Sequence, residues 1–248
     1  MFFIRLLHID TVLNATSILA QVSNTADANF SRDSFSIITF NPSPRFFATL
    51  QMSQPFFSHY SVDRNLCLRM FIPSFRGAML EGRFFPSMTM HFQGNAALMI
   101  LRFESPSYET YLKRQLTLSS SQVQDLGLVD QEKFFSIHST DFRRIIRELA
   151  IYFHRPIHAT LTDSQVRFYI ADREIVLTKE GGHCVIEGYQ GRFEAQFQVS
   201  LRPMLFFINL SYQSERIWFS KTTNSRSTVI CVPAFAFYAQ YVIYFPQV

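Results

Sequence analysis

His8-Ile-Asp-Thr-Val-Leu-Asn-Ala-Thr-Ser-Ile-Leu-Ala20 and His138-Ser-Thr-Asp-Phe-Arg-Arg-Ile-Ile-Arg-Glu-Leu-Ala150 are two copies of one pattern, 130 residues apart (8 to 138). Val12 matches Phe142, Ala15 matches Ile145 and Leu19 matches Leu149. These positions fall at i, i+3 and i+7, the stripe of an amphipathic helix. Each copy carries Asp, Ser or Thr near its start, residues suited to capping a helix. Each follows a strand-like run that opens on a Phe pair, Phe2-Phe3 or Phe134-Phe135. A second match lies 126 residues apart (71 to 197): Phe71-Ile-Pro-Ser-Phe-Arg-Gly-Ala-Met-Leu80 against Phe197-Gln-Val-Ser-Leu-Arg-Pro-Met-Leu-Phe206. Both read as a strand end entering a short helix, with Arg76 and Arg202 in matching places. Two matches in the same order at nearly the same spacing point to a duplicated domain.

Short strand-like runs fill the space between the helices. In the first half they are 34–40, 45–52, 65–71, 88–92, 96–103 and 111–118; in the second, 157–161, 165–170, 174–178, 184–189, 194–199, 216–220, 229–232 and 237–245. Turn residues separate them, as in Asn41-Pro-Ser-Pro44, Gln93-Gly-Asn95 and Gly181-Gly182. Alternation is clear in 165–170, where Val166, Phe168 and Ile170 share a face. Strands outnumber helices, so the expected class is α+β: two similar domains, each with antiparallel sheets and two helices on one face. Residues 119–132, SSSQVQDLGLVDQE, are polar and fall between the copies. They read as a connector between a first domain at 1–118 and a second at 133–248. Leu126, Leu128 and Val129 stand out there, either packed on the connector's own sheet or forming an apolar platform for partner peptides.

Composition narrows the function. The chain has 248 residues, 48% of them hydrophobic, which excludes global disorder and allows a sizeable core. Only 8 residues are Gly, so Gly-rich phosphate loops are not expected. The three cysteines, Cys67, Cys184 and Cys231, are far apart and form no CxxC, which argues against a disulfide framework or zinc ribbon and for reduced thiols. The apolar N-terminus is short, carries Arg5 and His8 inside the run, and makes a poor signal peptide. The uncharged stretch 228–245 approaches spanning length, but Pro233 and Gln240 interrupt it. It reads as two buried strands, with a membrane anchor as the alternative. Without a signal peptide, the sequons at Asn14, Asn29 and Asn209 read as coincidental.

Catalytic constellations are scarce: GxSxG, HExxH, GxxxxGK[ST] and the calcium-loop pattern are missing from the sequence. His154 and His158 have a helical metal-ligand spacing, but Pro156 between them breaks a helix, so ordinary histidines are expected. Asp163, Asp172 and Glu174 sit at turns and strand ends, where carboxylates are usually solvated. With no nucleophile or general base in view, the expectation is a protein that is not an enzyme and needs no cofactor or metal. The net charge of +4 permits a polyanionic partner without demanding one. The clearest basic cluster is Arg143, Arg144 and Arg147 beside the apolar stripe of the second long helix. Crowded guanidinium groups repel, and a polyanion would relieve them; a solvated face is the competing reading. Arg83 follows the first short helix.

Several of these segments resemble the DNA sliding clamps, the superfamily of proliferating cell nuclear antigen. Phe197-x-x-x-Leu-Arg-x-x-Leu-Phe-Phe207 resembles their second inner helix. Residues 139–153 look like the first inner helix of a clamp's second domain. Asn41-Pro-Ser-Pro-Arg-Phe-Phe-Ala-Thr-Leu-Gln-Met-Ser-Gln-Pro-Phe-Phe-Ser-His-Tyr60 is similar to the signature of the checkpoint clamp subunits of the Rad-nine type: a turn, a strand, then Phe-Phe-x-x-Tyr. Residues 66–80 and 111–118 continue the similarity.

The resemblance implies a nuclear, non-catalytic subunit of a heterotrimeric ring in the DNA-damage checkpoint and DNA repair. Rad-one-like and Hus-one-like subunits would complete the nine-one-one ring, and a clamp-loader ATPase would open it onto double-stranded DNA without regard to sequence. Helices would line the hole, with Arg76, Arg83, Arg143, Arg144, Arg147 and Arg202 facing DNA. Leu126, Leu128 and Val129 would dock repair and signalling proteins, by the connector's position. No membrane partner is implied. The family's phosphorylated C-terminal tail has no counterpart in these 248 residues, so tail-dependent signalling is not expected of them. The exonuclease activity claimed for the family finds no supporting carboxylate cluster. Two rivals give other expectations: a replicative clamp would form a homotrimer, and a β-rich apolar-ligand binder would line a cavity with its Phe residues.

Overall fold

A computed structural model describes residues 2–93, 98–105, 110–152, 155–189, 195–224, 227–235 and 238–246. The fold is α+β, with antiparallel sheets and, among the described residues, four α-helices. Its elements repeat one motif, strand–helix–three strands. The first copy is β1 (Phe2–Leu6), α1 (Ile9–Leu19), β2 (Thr25–Phe30), β3 (Ser34–Pro42) and β4 (Arg45–Ser53). After β5 (His59–Val62) comes the second: β6 (Leu66–Phe71), α2 (Ile72–Gly82), β7 (Ser87–Gln93), β8 (Leu98–Glu104) and β9 (Tyr111–Thr117). After the short β10 (Ser119–Ser120) comes the third: β11 (Val129–His138), α3 (Ser139–Leu149), β12 (Ile157–Leu161), β13 (Gln165–Ile170) and β14 (Arg173–Thr178). After β15 (Cys184–Glu187) comes the fourth: β16 (Ala195–Val199), α4 (Met204–Ser211), β17 (Arg216–Thr222), β18 (Thr228–Ala234) and β19 (Ala239–Phe245).

The chain divides into two units, one of Met1–Phe40, Thr49–Gln124 and Phe235–Gln240, the other of Asn41–Ala48, Asp125–Ala234 and Tyr241–Val248. In the first unit one sheet runs β5-β1-β7-β8-β9 and a second runs β10-β6-β2-β3, followed by residues 49–53 of β4. In the second unit the smaller sheet runs β14-β13-β12-β16, and the larger runs from residues 45–48 of β4 through β19, β18, β17 and β11 to β15. The pairings correspond strand for strand. β1 lies between β5 and β7 as β11 lies between β15 and β17, and β2 lies between β3 and β6 as β12 lies between β13 and β16. In each unit the two helices pack on one another, α1 on α2 and α3 on α4.

The long helices differ in how they use their apolar positions. In α3 the stripe Phe142, Ile145, Ile146 and Leu149 is buried, and Arg144, Arg147 and Glu148 are exposed. In α1 burial spreads wider, over Ile9, Val12, Leu13, Ala15, Thr16, Ile18 and Leu19. Capping departs from expectation: His8 and His138 hold the N-cap positions and neither gives a side-chain cap. Asp10 and Asp141 sit instead in the first turns, where a carboxylate meets the positive end of the helix dipole. The expected 139–153 helix ends at Leu149, and its last predicted residue, Phe153, lies outside the described residues. So do residues 94–97 (with the Gly94-Asn95 turn and the start of the 96–103 run), Glu194 and Phe237.

Phe rings pair within both cores, among many buried Ile, Leu, Val, Ala and Met side chains. In the first unit Phe30 stacks on Phe35 at 4.5 Å and meets Phe2 edge-on at 4.5 Å. In the second, Phe135 stacks on Phe219 at 4.6 Å and takes Phe197 edge-on at 5.1 Å. Each such ring removes ~150–250 Å² from water and gains from offset or edge contact besides. Close packing extends to Gly82, the last residue of α2, where an added Cβ would overlap the Phe103 ring. Gly82→Ala should therefore destabilise the protein by about 1–3 kcal/mol, although alanine is the better helix former; an urea melt at least as stable as the parent would show that Phe103 moves aside freely. The thiols are free, with Cys67 and Cys184 buried and their pKa values raised chiefly by that burial.

Candidate nucleic-acid interface

The three α3 arginines hold different positions. Arg143 is half-buried; its guanidinium donates to the Ser211 carbonyl at 3.4 Å and to Ser211 Oγ at 3.3 Å, and lies over the Tyr212 ring at 4.6 Å. It thus ties α3 to the end of α4. Arg144 is exposed and pairs with Asp141 one turn earlier at 3.2 Å. Arg147, in the last turn, is exposed and makes no ion pair or side-chain hydrogen bond among the described residues. Its charge favours the helix C-terminus and remains open to an external anion. The cluster thus offers one free guanidinium, one in a solvent-exposed pair worth little and one partly committed to the fold.

Arg76 and Arg83 belong to the first unit. Arg76, on α2, is half-buried, and its Nε is a buried nitrogen without a hydrogen-bond partner. Arg83 caps the C-terminus of α2 and lies over the Phe84 ring at 4.6 Å; that ring is 82% exposed.

The expected match between Arg76 and Arg202 does not extend to their helices. Arg76 lies inside α2, whereas α4 begins at Met204, so Arg202 stands before it. Pro203 is the reason: proline lacks an N–H and suits a helix start. Arg202 donates through Nε and Nη2 to the Ala150 carbonyl, at 3.2 and 3.0 Å. It satisfies a carbonyl that the end of α3 would otherwise leave open, so its fork is engaged within the fold.

The connector residues fall in the second unit. Leu128 is 73% exposed, while Leu126 and Val129 are half-buried. Val129 already belongs to β11, opposite Thr222, and the Leu128 carbonyl accepts from the Thr223 N–H at 2.8 Å. Gly127 takes a left-handed conformation (φ 76) and donates to Asp125 Oδ1 at 3.0 Å, which fixes the turn presenting Leu128. The platform is therefore one exposed leucine on a pinned backbone.

Other candidates resolve simply. His154 lies outside the described residues, and His158 stacks on Tyr169 at 5.6 Å. Asp163 and Asp172 are exposed, and Glu174 faces Arg167 at 3.8 Å on the surface. Among the described residues no three His, Cys, Asp or Glu side chains come together as a metal site.

One feature escaped sequence reasoning. A cleft of about 1130 Å³ within the second unit brings together Arg45, Arg155 and Arg202 above Val199, Met204 and Phe245. No local motif could announce it, because its arginines come from β4, the segment after α3 and the segment before α4.

No protein-family model and no curated protein matches this chain.

Proposed function

We propose that this chain is a non-catalytic subunit of a DNA sliding clamp, of the Rad-nine checkpoint type, which acts in the nucleus by encircling duplex DNA and docking repair and signalling proteins. The observation that carries the reading is the fourfold strand–helix–three-strand repeat, with one helix pair in each unit and with β9 and β14 among the sheet-edge strands. β19 is the second unit's counterpart of β9, and residues 45–48 of β4 lie beside β19. The counterpart of β4 in the second unit is β14. Both β9 and β14 are sheet edges among the described residues. Pairing β9 of one chain with β14 of another would repeat the β4–β19 arrangement and satisfy edges that invite association. A ring built in this way holds DNA topologically and needs phosphate contacts without base readout.

The test is the mass of the full chain in solution, alone and co-expressed with Rad-one-like and Hus-one-like proteins of the same organism. A monomer alone that enters a one-to-one-to-one trimer is the expected result. A homotrimer formed alone would move the reading to a replicative clamp. A monomer in both settings would overturn the clamp reading.

A further inference from the structure

The charged side chains among the described residues that line the cleft in the second unit are all basic. Arg45 and Arg155 are exposed, and neither side chain makes an ion pair or hydrogen bond among the described residues. Arg202, the third arginine, is held by its fork on Ala150. No Asp or Glu is among the described residues that line the cleft. Three like charges around one concavity raise its potential, and low-dielectric walls strengthen the field on whatever enters. The rest of the lining mixes the half-buried Met204 with the buried Val199 and Phe245 and with polar Ser43, Gln198, Ser200 and Thr228. An anion with an apolar neighbour suits the arginines and Met204.

The number of free guanidinium groups narrows the anion. One carboxylate brings a single negative charge to two unpaired guanidinium groups. A phosphate monoester carries a charge near −2 at neutral pH and offers three acceptor oxygens, enough for two planar forks. The shape narrows the class of molecule. Single-stranded nucleic acid is usually held in an open track with exposed aromatic platforms for its bases. Among the described lining residues the one aromatic is Phe245, which is 6% exposed and has no free face for a base. We propose that this cleft binds a phosphorylated segment of a partner protein, with Arg45 and Arg155 taking the phosphate and the half-buried Met204 receiving a flanking side chain. The proposal does not rest on the clamp reading, since the cleft lies wholly within the second unit.

The test uses the full chain and an immobilised peptide pool with phosphothreonine at its centre and randomised flanks. The same pool with unmodified threonine is the control. The phosphorylated pool should retain the protein at least about tenfold more tightly, the scale of one charge-assisted contact. Combining Arg45→Ala with Arg155→Ala should cost about a hundredfold and remove the preference, whereas Lys179→Ala, an exposed basic residue outside the cleft, should leave it intact. Both arginines are exposed, so a melting curve like the parent's is expected for the double variant. Equal retention on the two pools, no retention on either, or the same loss in Lys179→Ala would overturn the proposal. A single-stranded oligo-dT whose binding, rather than that of the phosphorylated pool, falls with the arginine pair would also overturn it and assign the cleft to nucleic acid.

Discussion

Phe135→Ala should lower the stability of the second unit by about 3–5 kcal/mol, the range for truncating a fully buried aromatic. Phe135 is 0% exposed and lies at the junction of both sheets of its unit: it stacks on Phe219 from β17 and meets Phe168 from β13 and Phe197 from β16. Its removal leaves a void lined by three rings that are themselves held by strand pairing, so the walls cannot collapse far. Calorimetry should show a melting transition lowered by roughly 10–20 °C. Phe134→Ala is the comparison. Its ring is half-buried, beside Trp218 at 5.0 Å, and the loss there should be no more than about half as large. Equal losses at the two neighbours would mean that the larger sheet, rather than packing between the sheets, limits stability.

On the proposed clamp reading, reversing Arg143, Arg144 and Arg147 to Glu should weaken duplex binding by the assembled ring about a hundredfold at 0.1 M salt, and lower the slope of log affinity against log salt by about 2–3. The structure divides this effect unequally. Arg147→Glu alone removes the one free guanidinium of the cluster and should lower the slope by about 1, with a small drop in melting point because a negative charge then meets the C-terminus of α3. Arg143→Glu also breaks the Ser211 and Tyr212 contacts, so part of its effect should appear as lost stability. A salt slope unchanged in both the triple variant and Arg147→Glu would identify α3 as a merely solvated face.

Some of this organisation was legible in the sequence, and the remainder was hidden for physical reasons. α3 was readable because its apolar and basic residues separate by period. The duplication was readable because the paired segments keep their order. β2 was not anticipated: Asp27-Ala28-Asn29 is poor strand sequence, and the strand depends on pairing with β6 and on Arg69, whose Nε meets Asp27 Oδ1 at 2.8 Å from 42 residues away. β5 was not anticipated either, a short strand that takes its place from β1. The bond from Arg202 to the Ala150 carbonyl was hidden because the two are 52 residues apart and cannot be inferred from spacing. The arginine cleft was illegible for the same reason, being assembled from segments that only the fold brings together.

The shared strand β4 has a consequence for how the protein is made. The first unit includes Phe235–Gln240, and its bonds Ser53 N–H to the Tyr238 carbonyl (2.9 Å) and Gln240 Nε2 to Gln51 Oε1 (3.2 Å) span nearly the whole chain. A ribosome synthesising from the N-terminus delivers β3 and β4 long before the residues that complete them. The first unit therefore cannot finish folding until residues 235–240 have been synthesised, and β4 waits until then for the strand that pairs along one side of it. Contacts this distant in sequence slow folding and leave an unpaired strand as a template for wrong association in the interval.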